Sequence, residues 1–370
     1  MRVDSFLSSL KENGITFFTG VPDSQLKALC DYLNSEKPES NITTANEGNA
    51  AAIAAGYYMA TKNVPCVYLQ NSGLGNIINP YASLLHEAVY AIPTLFVIGW
   101  RGEPNVHDEP QHIFQGKVTT SLLETLEIPY VILTKETTED ELSATLQNFC
   151  KFFAEGKSCA VVVKKGALTN DNEVTYKNEN TLRREDIIRK ITEYSKEDII
   201  VSTTGKTSRE LFEIREANKQ PHKYDFLTVG SMGHSSSIAL GIALNKPNSR
   251  IWCVDGDGAV LMHMGSMALI GANCPSNYIH VVINNGAHET VGGMPTVASK
   301  IDIPKIALAC GYKHAVSVTT YDELDRALEN AKNCNELTLI EAKCNIGARD
   351  DLGRPKTTPV QNKMDFMNNL

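Results

Sequence analysis

Arg250-Ile-Trp-Cys-Val-Asp-Gly-Asp-Gly258 and, after a helix-length interval, Tyr278-Ile-His-Val-Val-Ile-Asn-Asn-Gly286 read as two buried strands, each ending in a polar, glycine-bearing turn. Their separation suits one strand–helix–strand crossover, which makes the strands parallel neighbours. Asp257 and Asn285 then stand side by side at carboxyl ends of the sheet, where open α/β sheets take their ligands. A carboxylate and an amide oxygen are hard donors suited to Mg2+, and the carbonyl of Ala287 is a third candidate. An Mg2+ held by so few protein groups completes its octahedron with phosphate oxygens. Gly256 and Gly258 let the backbone approach such phosphates with no Cβ in the way. Gly-Asp-Gly by itself reads as a tight turn. The strand before it, the second strand and the Asn-Asn pair turn the reading towards a metal and diphosphate site.

The rest of the chain supports a fold that can carry this motif. With 370 residues it is long enough for two domains, each with its own core. Apolar strand-like runs alternate with amphipathic stretches in both halves, which predicts parallel sheets with helices on both faces. The first half offers strands at Ile15–Gly20, Cys66–Asn71, Thr94–Gly99, Tyr130–Leu133 and Ala160–Val163. The second offers them at Ile199–Gly205, Phe226–Gly230, Ile251–Asp255, Ile279–Asn284, Ala315–Val318 and Leu337–Ala342. The Asn-rich polar stretch between the halves is read as a linker over residues 169–181, separating domains at 1–168 and 182–370. The net charge of −8, with no basic stripe, argues against nucleic acid. No apolar run reaches membrane-spanning length. Nine scattered cysteines without a C-x-x-C pair are expected to be reduced thiols in a cytoplasmic protein, without a zinc site.

Three other stretches follow strands and could meet a ligand. Gly205, in Ser202-Thr-Thr-Gly-Lys206, opens a helix whose amides can hold phosphate oxygens, although the ordinary reading is a strand–helix turn. Gly230-Ser-Met-Gly-His234 places Met232 after a strand, where a core-filling methionine is the common alternative. Asn46-Glu-Gly-Asn-Ala-Ala-Ala-Ile-Ala-Ala-Gly56 puts Glu47 at the start of a helix. A first-turn acid is favoured there by the helix dipole alone. That helix is too small-sided and apolar for a surface element, and is expected to pack against another surface. Asn71-Ser-Gly-Leu-Gly-Asn76 fails as a dinucleotide fingerprint, because Ile78 stands where the third glycine is required. This weighs against a two-domain nicotinamide dehydrogenase.

Taken together, these motifs resemble those of thiamine-diphosphate enzymes over almost the full length of the chain. The resemblance implies thiamine diphosphate and Mg2+ as cofactors, with Asp257, Asn285 and Ala287 on the metal. It implies that Gly205, Gly230, Gly256, Gly258 and Ala259 surround the diphosphate side, with Met232 propping the bent cofactor. Ser72 and Gly73 would face the pyrimidine, and Glu47 would be the catalytic carboxyl that hydrogen-bonds its ring. In this family the pyrimidine-side domain of one subunit faces the diphosphate-side domain of another, so a homo-oligomer is expected.

The absence of a middle domain, with Phe18-Thr-Gly-Val-Pro-Asp-Ser24, Gly99-Trp-Arg-Gly-Glu-Pro104, Asp108-Glu-Pro-Gln-His112 and Leu352-Gly-Arg-Pro355, is similar to the phosphonopyruvate and sulfopyruvate decarboxylase group. That group implies an anionic 2-oxo acid substrate. Decarboxylation of 3-phosphonopyruvate to phosphonoacetaldehyde in phosphonate biosynthesis is expected, with sulfopyruvate or another 2-oxo acid as the alternative. A phosphonate calls for clustered donors, for which Arg is better shaped than Lys. Arg101, His112 and Arg354 are candidates, each equally readable as a solvated charge or an ion pair. Asp23 and Ser24 could touch substrate or cap the following helix. His288 could donate a proton or brace the metal site.

Overall fold

The structure, a computed structural model, describes residues 1–172 and 174–370. Its contacts divide the chain into two compact units, Met1–Thr175 and Tyr176–Leu370. The first carries strands β1 (Phe18–Gly20), β2 (Asn41–Thr43), β3 (Cys66–Gln70), β4 (Leu95–Gly99), β5 (Tyr130–Leu133) and β6 (Cys159–Val163). All pair in parallel, in the order β2-β1-β3-β4-β6-β5. Its helices are α1 (Val3–Glu12), α2 (Lys27–Glu36), α3 (Glu47–Thr61), α4 (Leu74–Pro80), α5 (Pro110–Thr125) and α6 (Glu139–Ala154). Val67, Leu69, Phe96, Ile98, Ala160 and Val162 on one face of the sheet pack with Ala50, Ala54, Ile77 and Leu123 of the helices. Val97 and Val161, which point the other way, are equally buried, so both faces are covered.

The second unit repeats this plan. Its strands are β7 (Ile199–Ser202), β8 (Asp225–Leu227), β9 (Ile251–Gly256), β10 (Tyr278–Asn284), β13 (His314–Val318) and β14 (Thr338–Lys343), with a short antiparallel pair, β11 (Ala287–His288) and β12 (Met294–Pro295). The order β13-β14-β10-β9-β7-β8, read from the other edge, places the strands in the same relative sequence as in the first unit. The helices are α7 (Arg184–Ser195), α8 (Lys206–Ala217), α9 (Ser235–Asn245), α10 (Asp257–Met262), α11 (Gly265–Asn273), α12 (Ile303–Cys310), α13 (Tyr321–Asn333) and α14 (Pro359–Met367). Alternation along β9 and β10 divides the core in two. Trp252, Val254, Ile279 and Val281 join Ile187 and Leu324 on one side. Ile251, Cys253, Tyr278 and Val282 join Ala239, Ile270 and Phe366 on the other.

This strand order positions the sites. In each unit the chain adds its second strand on one side of the first and its third on the other. The switch point therefore lies between β1 and β3, and between β7 and β9, and opens a crevice at their carboxyl ends. Asp23 follows β1 and Gln70 ends β3; Gly205 and Asp257 follow β7 and β9.

Two expectations change. The helix-length interval between Gly258 and Tyr278 holds two helices, α10 beginning at Asp257 itself and α11 at Gly265. Part of the stretch expected to be a linker is pinned within the second unit, where Asn178 and Asn180 both donate to the Cys344 carbonyl. The polar tail after Arg349 is held as well: Arg349 pairs with Glu185, Glu213 and Asp351, and Arg209 donates to the Leu352 and Gly353 carbonyls.

Candidate active site

In the second unit Asp257 is the first residue of α10, so the end of β9 delivers its carboxylate directly to a helix N-terminus. The side chain is buried, and its Oδ2 accepts from Thr296 Oγ1 at 2.5 Å. Burial pushes the carboxyl up to about 6, against the hydrogen bonds from Thr296 and the backbone of Gly258 and Asn285 that stabilise its charge. Among the described residues no basic side chain pairs with it. A buried carboxylate supplied only with hydroxyl and amide donors is suited to a cation.

Asn285 follows β10 and is buried beside it, its Oδ1 accepting from the Ala287 amide at 3.0 Å and its Nδ2 donating to Glu289 at 2.7 Å. Asp257, Asn285 and Ala287 are thus brought to one place by β9, β10 and the hairpin after β10. His288 lies over Gly258, where an added Cβ would stand 3.5 Å from the ring, and burial lowers that imidazole to about 4. His288 is therefore neutral at pH 7.

The glycines around this point adopt conformations or contacts that a side chain would disturb. Gly205 adopts φ +90 before α8, and Thr290 stands 3.0 Å from where its Cβ would be. The Gly230–His234 loop carries positive φ at Ser231 and Gly233, and a Cβ on Gly233 would press on His263 and the Ala259 carbonyl. This places the loop bearing the half-buried Met232 against α10. Lys206, the first residue of α8, pairs with Glu289 at 2.8 Å. Burial would raise the Glu289 carboxyl, but Arg184 and Lys206 hold it below its ordinary value. Glu289 thereby fixes Asn285 from behind.

In the first unit Glu47 begins α3, capped by Asn46, whose side chain accepts from the Gly48 amide. Its carboxylate is buried and accepts from Asn76 Nδ2 at 2.7 Å. A Cβ at Gly73 would collide with that carboxylate, so the glycine in Asn71-Ser-Gly73 is a requirement of close approach. Burial raises the Glu47 carboxyl, with Asn76 opposing. Ser72 donates to Gln70 Oε1 at 2.7 Å, and Gln70 donates in turn to Asp23. Asp23 is fully buried and raised by that burial. Arg101 grips Asp108 through Nε and Nη2 at 2.8 and 2.5 Å and reaches Ser24 Oγ through Nη1 at 3.0 Å. His112 is pushed down to about 4 by burial and by the Arg101 charge.

Glu47, Ser72, Gly73, Asp23, Ser24, Arg101 and His112 are therefore gathered at the carboxyl ends of the strands of the first sheet. Arg354 does not join Asp257 in the second unit. It is exposed, in a groove lined by Glu213 and Glu216 towards the far end of α8 from Gly205. Its place follows from the tail being tied to α8 by Arg209 and Glu213.

Sequence reasoning missed Asn76, Gln70, Asp108, Thr296 and Glu289. Asn76 closes the quoted Asn71–Asn76 loop, and its pairing with a carboxyl at 47 has no sequence-local mark. Thr296 reaches Asp257 only because β11 and β12 fold back, a hairpin of two-residue strands without a periodic pattern.

Comparison with known proteins agrees with both halves. The N-terminal TPP binding domain of thiamine pyrophosphate enzymes matches residues 3–123, and the C-terminal TPP binding domain matches residues 203–342. A phosphonopyruvate decarboxylase of Streptomyces viridochromogenes is 34% identical over 94% of this chain and 89% of its own length. One of Streptomyces hygroscopicus is 34% identical over 97% and 91%. A sulfopyruvate decarboxylase of Methanosarcina acetivorans is 28% identical over 91% and 89%. With both cofactor domains matched and decarboxylases aligned over about nine-tenths of each chain, the chain belongs to the thiamine pyrophosphate enzyme family, among its decarboxylases.

Proposed function

We propose that this chain decarboxylates 3-phosphonopyruvate to phosphonoacetaldehyde and carbon dioxide, a step of phosphonate biosynthesis, using thiamine diphosphate held through Mg2+. The end-to-end similarity to phosphonopyruvate decarboxylases carries the choice of substrate. The donor set carries the metal: Asp257, Asn285 and the Ala287 carbonyl offer hard oxygens, and the glycines at 205, 256 and 258 leave room for a diphosphate. Thiamine diphosphate, when bound, supplies the electron sink that lets carbon dioxide depart. Glu47 exchanges a proton from a carboxyl that burial keeps easy to protonate, while Asn76 fixes its orientation. Arg101, held by Asp108 and Ser24, presents its remaining N–H groups to the phosphonate, with neutral His112 beside it.

The active site is completed by a second copy of the chain, and the protein works as a homo-oligomer in the cytoplasm. Supporting the first is the exposed row Ala52, Gly56 and Met59 on α3; supporting the second are nine free cysteines.

Aldehyde release from 3-phosphonopyruvate and from sulfopyruvate, each with thiamine diphosphate and Mg2+, tests the reading. The phosphonate is expected to be turned over at the higher kcat/KM; a preference for the sulfonate would reassign the substrate. Asp257→Ala should raise the requirement for Mg2+ and thiamine diphosphate together, and an unchanged requirement would remove Asp257 from the metal.

A further inference from the structure

Beneath the loops that present Asp257 and Asn285, three ionisable side chains converge inside the second core. Cys253 of β9 and His280 of β10 are register partners, and Asp255 projects from the same face of β9 two residues on. All three are fully buried, and one ligand atom from each lies within 4.8 Å of the others. His280 Nε2 and Asp255 Oδ2 face each other at 3.6 Å, and neither has a hydrogen-bond partner. That is too long for a hydrogen bond. It is close to the roughly 3.4 Å separating two ligands that each lie about 2.0–2.1 Å from one tetrahedral ion.

The outer partners are those a metal site uses. Asp255 Oδ1 accepts from the Gly256 amide at 3.1 Å, so that oxygen is satisfied and Oδ2 is left over. His280 Nδ1 lies 3.1 Å from the Tyr312 hydroxyl; with Nδ1–H donating there, Nε2 keeps a bare lone pair. Ser235 and Tyr278 lie beside the Cys253 sulfur. Orphaned polar atoms in an apolar core are costly singly and are usually explained by something that binds them.

Although the cysteine spacing predicts no zinc site, we infer that Cys253, Asp255 and His280 form a buried, structural transition-metal site of the zinc type, clamping β9 to β10 below the loops that carry Asp257 and Asn285. A thiolate, an imidazole and a carboxylate suit Zn2+ far better than Mg2+. Thiolate and carboxylate together neutralise the ion, so the filled site places no net charge in the core. The site shares no donor with Asp257, Asn285 or Ala287, and it stands whether or not the proposed substrate is correct.

Because all three donors are fully buried, the ion enters as the chain folds, and the test measures metal content rather than turnover. Full-length protein produced with zinc in the medium and dialysed natively against EDTA should retain on the order of one zinc per chain, while Mg2+ is removed. Cys253→Ser and His280→Gln should each bring zinc to about a tenth of that, with circular dichroism unchanged. Production with Co2+ in place of zinc should give a thiolate-to-cobalt charge-transfer absorption in the parent protein. A parent protein without stoichiometric metal would overturn the inference and leave Asp255 and His280 as a proton-sharing pair. Zinc retained by both variants would overturn it too. If the variants do not fold, X-ray absorption of the zinc-loaded parent decides, since a first shell without sulfur excludes Cys253.

Discussion

Glu47 is a buried carboxyl whose charge costs the folded protein stability. Its folded-state pKa lies above the ordinary value because burial penalises the charge, so the folded protein holds the proton more tightly than the unfolded chain. The associated stability is complete at pH below the unfolded value and is lost as pH rises through the folded one. Glu47→Gln keeps an oxygen for Asn76 while removing the charge. Without cofactor it should therefore melt higher than the parent at pH 8, by about 1 kcal/mol, with the gain fading towards pH 4. Its turnover should fall by about 10²–10⁴-fold. Thermal melts across that pH range and steady-state rates check both halves; a variant less stable at pH 8 would contradict the electrostatic account. Gly73→Ala drives a methyl into the same carboxylate and should cost about tenfold or more in kcat/KM, with the far side of the unit intact.

Among the elements, those decided by buried strands were readable, and those decided by tertiary contact were not. Asp257 and Asn285 could be placed because each follows a run of apolar residues that can only be an interior strand. Strand β2 is three residues long and part exposed, so no alternation marks it. Helix α5 carries buried residues only at Gly116, Thr119 and Leu123, and Gly116 is there because a Cβ would strike the Gly102 carbonyl. Helix α14 is fixed by Asn362, which accepts from the Leu227 amide and donates to the Asp225 carbonyl, contacts no spacing could announce.

Asp225 of β8 pairs with Arg215 of α8, bidentate at 2.9 and 3.0 Å with both side chains almost wholly enclosed. Burial alone would raise the Asp225 carboxyl, and the Arg215 guanidinium opposes it. Arg215→Met strands that carboxylate and should cost about 3–5 kcal/mol. Arg215→Met with Asp225→Leu should recover most of the loss, because no unpaired charge remains. Denaturant midpoints of the two variants measure this; equal losses would mean that the pair matters through packing instead.

At the scale of the whole molecule, one strand order occurs twice, and each copy opens a crevice at its switch point. The acid and the Asn71–Asn76 loop sit in one unit, the metal-type donors and glycine turns in the other. A cofactor with a pyrimidine at one end and a diphosphate at the other needs both kinds of half-site. The proposed assembly from two copies can be tested on α3 without disturbing the core. One face of this helix is buried through Ala50, Ala51, Ala54 and Ala55, while Ala52, Gly56 and Met59 are exposed. Met59 keeps 67% of its surface. An added Cβ at Gly56 meets nothing within 4 Å, and replacing a mid-helix glycine favours the helix by roughly 1 kcal/mol. Gly56→Arg should therefore leave a single chain folded, with unchanged circular dichroism and an undiminished melting temperature. If this face joins two copies, the bulky cation will separate them: light scattering should report monomers, and turnover should vanish although Glu47, Asp257 and Asn285 are untouched. An active, multimeric Gly56→Arg protein would exclude this helix face from the interface.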